Sequence, residues 1–453
     1  MSHFVRASKY RNVFVDPPKP EQCFTLLPIS STSGEQSYIK GNTKYCSVAV
    51  QGGGGPFIVL SYDKPGRFER SNPLVTGHTG NVLDFEWNPF HEQVLATCSE
   101  DTTVKIWGIP VGGVTEPITE PLVDLPGHQR KVTLLRFHPT ASNVLCSVGA
   151  DTVMKVWDIE SGLEAYTFEE HEQLIQDIVW DHTGANFATS SKDKKIRICD
   201  VRNNKVSQII NTAHEGARST KLTYLGSKEK LLSVGFTRQS QRQFKIWDPR
   251  NLSQEIKRID IDQAAGVILP FYDEDSQLLY LAGKGDGNIR YYEFVDENPW
   301  CFYINEFRST SAAKGMAMVP KLGLDLMKCE TARLLKLTSN AIEPLSFIVP
   351  RKSDAFQDDL FPPTYAGVPS LTASEWIAGE DKPPVLTELR PDSRPAAANH
   401  VLPTKKIGNA IAAPLPSVIA DKVNHELEDQ LQAAMDRILL LEKVIKENGL
   451  RVP

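Results

Sequence analysis

Paired cysteines are missing from this chain. Its seven cysteines, Cys23, Cys46, Cys98, Cys146, Cys199, Cys301 and Cys329, are scattered over 453 residues with no Cys-x-x-Cys pair. That spacing excludes a zinc-knuckle or dithiol redox motif and fits reduced, buried thiols in an intracellular protein. No stretch of eighteen apolar residues exists, so no membrane span is expected. The opening MSHFVRASKYRNVF lacks an apolar core, so no secretory signal is expected either. A basic excess is also missing. Lys and Arg number 50 against 56 Asp and Glu, giving a net charge of -6, whereas a nucleic-acid binder usually carries a basic domain or stripe. Two glycine-rich stretches, QGGGG at 51–55 and GKGDG at 283–287, lack both the GxxxxGK[ST] spacing and the strand-to-helix context of a phosphate loop. The second reads as a tight turn that needs positive φ.

What is present is a repeat. Residues 77–108, 127–158 and 170–200 each open on or near a histidine, alternate apolar and polar residues through short β-branched runs, and pass an Asp turn. The first two close on Trp107 and Trp157, followed by Gly108 and Asp158. A looser copy starts at Ala213 and ends FKIWD at Asp248. The alternation has the period of strands, not helices. These copies resemble WD repeats, the four-stranded blades of a β-propeller. At about 45 residues per blade, residues 21–347 hold about seven. The expected fold is therefore all-β, a seven-bladed propeller, with RNVFV at 11–15 pairing with the last blade to close the ring.

In WD repeats a His, a strand Ser or Thr, a turn Asp and a Trp form a hydrogen-bonded tetrad. Here the set is His78, Thr97 or Ser99, Asp101 and Trp107, then His128, Ser147, Asp151 and Trp157. The third copy keeps His171 and Asp193 but has Cys199 in the Trp position. A buried His needs partners for both ring nitrogens, so the role is structural. A Ser-His-Asp catalytic set would not recur in successive blades.

After Pro350 the texture changes. Residues 351–384 mix Phe356, Leu360, Phe361, Tyr365 and Trp376 with prolines, and are expected to lie along a propeller face; a free peptide ligand is the other reading. Residues 385–416, rich in Pro and Ala, read as a flexible linker. Residues 417–453 then carry a coiled-coil seam. Leu431, Ile438 and Ile445 fall at a; Leu427, Ala434 and Leu441 fall at d. Arg437 at g and Glu442 at e complete an Arg-apolar-x-x-apolar-Glu pattern associated with short parallel trimers, with a dimer as the other option. A lone helix of this length is marginal in water, so self-association is expected.

The whole order resembles the coronin family. VRASKYRNVF at 5–14, LPFYDEDSQLLYLAGKGDGNIRYYE at 269–293 and VPRKSDAFQDDLFPPTYAGVPSLTASEW at 349–376 carry the resemblance, together with the terminal trimer pattern. It implies a cytoplasmic protein of the actin cytoskeleton, in cortical patches, that binds F-actin. It also implies bundling or crosslinking of filaments, action with the Arp branching complex and with cofilin, and parts in motility and endocytosis. Filaments are acidic, so the candidate contacts are basic: Arg6, Lys9 and Arg11; Lys192, Lys194 and Lys195; Arg351 and Lys352. One departure stands out. Coronins often carry a basic residue shortly after the QC[FY] stretch, and here QCFTLLPIS places Pro28 there. No cofactor and no catalytic group is expected. The alternative is a generic WD-repeat scaffold for a signalling or trafficking complex.

Overall fold

The strand-period repeats become seven β-sheets arranged as the blades of a propeller. The structure, a computed structural model, describes residues 7–32 and 34–390. Arg6 and the coiled-coil positions Leu427, Leu431, Ala434, Arg437, Ile438, Leu441, Glu442 and Ile445 lie outside the described residues.

Blade 3 shows the plan, with strands Val132–Phe137, Val144–Gly149, Met154–Asp158 and Leu163–Phe168 paired antiparallel in order. The second strands of blades 2, 3, 5 and 6, Val94–Ser99, Val144–Gly149, Leu231–Phe236 and Leu278–Gly283, are buried at every position. They sit between neighbouring blades, so both their faces are apolar or hydrogen-bonded. Outer strands such as Lys205–Ile210 and Lys257–Asp262 alternate exposed and covered residues, as a strand with one wet face must. Antiparallel order fixes two faces. Turns between first and second strands share the lower face. Turns between second and third strands, and the loops entering each blade, share the upper face.

The ring closes through two short pieces. Phe14–Asp16 pairs antiparallel with Ile342–Ile348 of blade 7, Phe14 opposite Ile348, and Phe24 pairs with Ile342 further along the same strand. The closing strand thus starts three residues later than the sequence suggested, leaving Arg11 outside it. Pro17 and Pro18 have no N–H to continue the ladder, so the strand stops at Asp16 and resumes at Phe24.

Residues 351–390 run over the lower face. Leu360, Phe361 and Leu389 join the blade 6–7 core with Tyr10. Leu371 bridges Ala141, and the short helix Ala373–Ile377, with a Thr372–Glu375 capping box, buries Trp376 completely. The Trp376 ring lies edge-on to His138 and Trp180, and its Nε1 donates to the Gly184 carbonyl at 3.2 Å. Leu386–Thr387, at the start of the stretch read as linker, pairs with Thr364–Tyr365, and Leu389 is buried. Packing therefore continues to the end of the described residues. Removing the indole leaves a cavity among aromatic rings, so Trp376→Ala is expected to cost about 3–5 kcal/mol. Denaturant unfolding measures that loss, and faster proteolytic cleavage within residues 366–384 than in the parent would show that the segment has come off the face.

Candidate functional site

The upper face is built on the histidine loops. In blade 2, His78 Nδ1 lies 2.8 Å from Asp101 Oδ2 and Nε2 lies 2.7 Å from Thr97 Oγ1, to which Trp107 Nε1 also donates at 2.8 Å. Thr97, not Ser99, is thus the strand member. Burial pushes the Asp101 carboxyl up, but hydrogen bonds from His78 and Thr103 outweigh it and hold it well below the usual range. Blade 3 repeats the arrangement with His128, Asp151, Ser147 and Trp157.

Blade 4 departs from it. His171 Nε2 meets Thr189 Oγ1 at 2.9 Å, but its Nδ1 finds no protein partner. Asp193 instead takes Arg197, at 2.6 Å. The missing Trp is therefore one of two losses. In blade 5, Gln243 replaces the acid, its Nε2 standing 3.0 Å from His214 Nδ1, while Ser233 receives Trp247. Between blades 5 and 6 a fully buried Arg242 grips Asp262 through two nitrogens at 2.6 Å and reaches Asp286 at 2.7 Å.

The basic candidates fall on opposite faces. Lys192, Lys194 and Lys195 lie on the upper turn of blade 4. Lys192 and Lys194 are exposed, and Lys194 Nζ donates to the Glu215 carbonyl at 2.6 Å, which leaves its charge unpaired. Lys9 and Arg351 converge on the lower side. Lys9 donates to the Asp359 carbonyl at 2.7 Å and Arg351 pairs with the Asp359 carboxylate at 2.8 Å. Arg11 and Lys352 are exposed. The sequence reading missed Arg130, Lys131, Arg218 and Arg238, all exposed on upper loops of blades 3 and 5 that flank the Lys192 turn. They lie far apart along the chain, and only the blade register brings them to one rim. Glu170, Glu172 and Glu215 are interspersed among them.

Around the channel the innermost strands carry linked charges. Arg136 spans Asp84 at 3.5 Å and Asp177 at 3.1 Å, and Lys40 pairs with Glu86 at 2.5 Å. On the lower side a cavity of about 590 Å³ is lined by Lys40, Glu86, Trp87, Asp275, Lys321 and Tyr365, among others. Burial and then the neighbouring Asp273 push the Asp275 carboxyl up to about 6. Among the described residues no cluster of His, Cys, Asp and Glu could hold a metal ion. Among them, too, no helix is long and apolar enough to cross a membrane.

The repeat, the blades and the two complete tetrads define a WD-repeat propeller. Models described as "WD domain, G-beta repeat" match residues 71–108, 119–158 and 162–200, and one described as "Type of WD40 repeat" matches 342–384. A "Domain of unknown function (DUF1899)" matches 3–67. The chain is 45% identical over 390 residues to Coronin-A of Dictyostelium discoideum, covering 86% of this chain and 87% of that protein. It is 39% identical over 433 residues to human Coronin-2A, covering 94% and 82%. The crystal structure of the WD40 domain from Toxoplasma gondii coronin superposes with a TM-score of 0.80 at 31% identity, covering 84% of this chain and 98% of that one. The chain belongs to the coronin family, whose propellers are scaffolds and not enzymes.

One pH dependence follows from the site. His138 is buried beside Trp180 and Trp376. Its Nδ1 accepts the Ala141 N–H at 2.8 Å, and its Nε2 lies 2.9 Å from the Gly184 carbonyl, so the ring is held neutral. Burial pushes it down to about 4. The unfolded chain titrates near the ordinary value of about 6.5. It therefore takes up the proton first, and this stability is present above about 6.5 and lost as pH falls through 4. Denaturation midpoints measured between pH 7 and 4 should fall more steeply for the parent than for His138→Gln. Equal slopes would remove His138 from the account.

Proposed function

We propose that this protein is a cytoplasmic actin-filament-binding coronin that organises the actin cytoskeleton. Its membership of the coronin family, at 45% identity over 390 residues to Coronin-A, carries the reading. On this reading the propeller grips the filament and a C-terminal coiled coil, with Leu427, Leu431, Ala434, Ile438, Leu441 and Ile445 in its seam and Arg437 facing Glu442, joins three copies. Three weak grips on a repeating lattice rebind before all let go, and such linkage raises avidity by about 10²- to 10⁴-fold. The trimer bundles or crosslinks filaments, acts with the Arp branching complex and takes part in cofilin-linked turnover at cortical patches.

The exposed upper rim of blades 3 to 5, centred on Lys192, Lys194 and Lys195, is the favoured contact. Apart from Arg218, its exposed cations are unpaired by side-chain carboxylates, whereas Arg351 on the other side is already held by Asp359. The single carboxylate bridge in this group, Arg218 to Glu35, is long at 3.8 Å.

Cosedimentation with actin filaments tests both parts. The double variant Lys192→Glu/Lys194→Glu should bind at least tenfold more weakly, with a smaller salt dependence. Arg351→Glu/Lys352→Glu should bind like the parent. Deleting the residues after Pro416 should yield a folded monomer that sediments far less with filaments, and undiminished binding by that monomer would rule avidity out. A parent that fails to sediment with filaments would leave the scaffold reading.

A further inference from the structure

The loop that enters blade 1 has no histidine. In blades 2 to 5 the corresponding loop carries the tetrad His and stays beside its own blade. Residues 34–38 instead leave blade 1 and reach blades 7, 6 and 5. In a ring of seven that is nearly opposite, so the strap crosses the upper mouth of the channel.

Apart from Tyr38, which packs into the core of blades 7 and 1, the contacts it makes are polar. Glu35 accepts the Ser219 N–H at 3.2 Å and the Ser219 hydroxyl, and lies 3.8 Å from Arg218 of blade 5. Lys284 of blade 6 donates to the Gly34 and Gln36 carbonyls at 2.7 and 2.6 Å. Lys314 of blade 7 donates to the Ser30 carbonyl just upstream. Both ammonium groups sit over the Tyr38 ring, at 4.4 and 5.6 Å. The Ser37 carbonyl lies on Gly315, where any Cβ would come within 1.5 Å of it. Only a glycine there permits the strap to lie this close.

Cations outnumber the strap's own acid. Of Arg218, Lys221, Lys284 and Lys314, only Arg218 has an ion-pair partner, Glu35 at 3.8 Å, while the acids Asp84 and Glu100 act on Tyr38 from blade 2. Lys221 is satisfied by the Gln176 carbonyl at 3.0 Å, not by an acid. Burial, then the Lys221 charge, brings Lys284 down to about 7, with Lys314 adding to the effect and Glu35 opposing it. A cationic mouth is therefore covered by neutral carbonyls and one acidic side chain. Tyr38 is the single large apolar anchor. Glu35, Gln36 and Ser37 are half-buried and Gly34 is exposed. With so little apolar burial, the strap opens at a small fraction of the global unfolding free energy.

We propose that residues 34–38 are a built-in competitor, in which Glu35 fills an anion-accepting notch formed by Ser219 and Arg218 that an acidic side chain of the protein partner takes when the strap lifts. This rests on the filament reading, since Arg218 belongs to the same upper rim as Lys192 and Lys194. The partner is a protein surface rich in Asp and Glu. The strap then sets the affinity of the rim: a site open one-tenth of the time binds about tenfold more weakly than its intrinsic constant.

The test uses the full chain, a fluorescent hexaglutamate peptide and actin filaments. Glu35→Gln empties the notch of charge and should tighten hexaglutamate and filament binding by about tenfold, at unchanged melting temperature. Adding Arg218→Ala, at an exposed position that leaves folding intact, should abolish the gain. If Glu35→Gln leaves hexaglutamate binding unchanged or weaker, the competitor is overturned. Tighter peptide binding with unchanged filament binding overturns the assignment of the filament as occupant. A parent that ignores filaments while Glu35→Gln still gains for the peptide overturns the filament reading and leaves the notch standing.

Discussion

A ring of sheets holds together only if its ends meet, and here the ends meet on one strand. Ile342–Ile348 receives Phe14–Asp16 along one half and Phe24 at its start. Both pieces come from the N-terminus, so blade 7 is assembled from the two ends of the propeller sequence. Its inner side packs Val13, Ala332, Leu334, Leu345 and Phe347 in one buried cluster with Tyr10, Leu360, Phe361 and Leu389. Closure and the anchoring of the C-terminal segment therefore share a core. Losing the N-terminal strand would expose the edge of blade 7 and also remove part of the seat of the segment that covers the lower face.

The tetrads divide the remaining work unevenly. In blades 2 and 3 each histidine nitrogen has a partner and the Trp N–H ends on the same hydroxyl, so no polar atom of the set is stranded. In blade 4 the acid has moved to Arg197 and the His171 Nδ1 is left without a protein partner. Burial holds that ring neutral, down to about 4. Between blades 5 and 6 the His–Asp pair gives way to the buried Arg242 with Asp262 and Asp286. Each device joins an entering loop or strand to a turn of the same rim, and the rim keeps its shape although the chemistry changes from blade to blade.

The parts that could be read from the sequence are those written in one repeat. His78, Asp101 and Trp107 lie within thirty residues at the spacing of a single blade, and the resemblance to WD repeats pairs them. The strap could not be read that way. Glu35 meets Ser219 across 184 residues, and nothing in STSGEQSY marks it as a segment that leaves its own blade. Lys284 lay inside a stretch read as a glycine turn, and Gly285 and Gly287 do adopt positive φ there. The role of Lys284, however, depends on two carbonyls about 250 residues away. Arg130, Lys131, Arg218 and Arg238 were invisible for the same reason. Residues 385–390 were misjudged on composition. The Pro- and Ala-rich stretch from Val385 onward looks like linker, but the short pairing of Leu386–Thr387 with Thr364–Tyr365 and the buried Leu389 depend on a surface the sequence does not display.

The two faces are closed by opposite kinds of contact. The lower face is covered by rings: Trp376 between His138 and Trp180, Tyr365 beside Phe90, Phe356 beside Phe361. Lifting that cover would expose large apolar area at roughly 25 cal/mol per Å², so it behaves as part of the core. The upper mouth is covered by hydrogen bonds from lysines to carbonyls and by one carboxylate. Each is exchanged for bonds to water at a net loss of about 1.5–3 kcal/mol, and the cations gain solvation when they are released. A protein partner can supply that exchange with its own carboxylates, but it has nothing to offer in place of a buried indole. The chemistry of closure thus makes the upper face the one open to exchange and the lower face the one that holds the ring in shape.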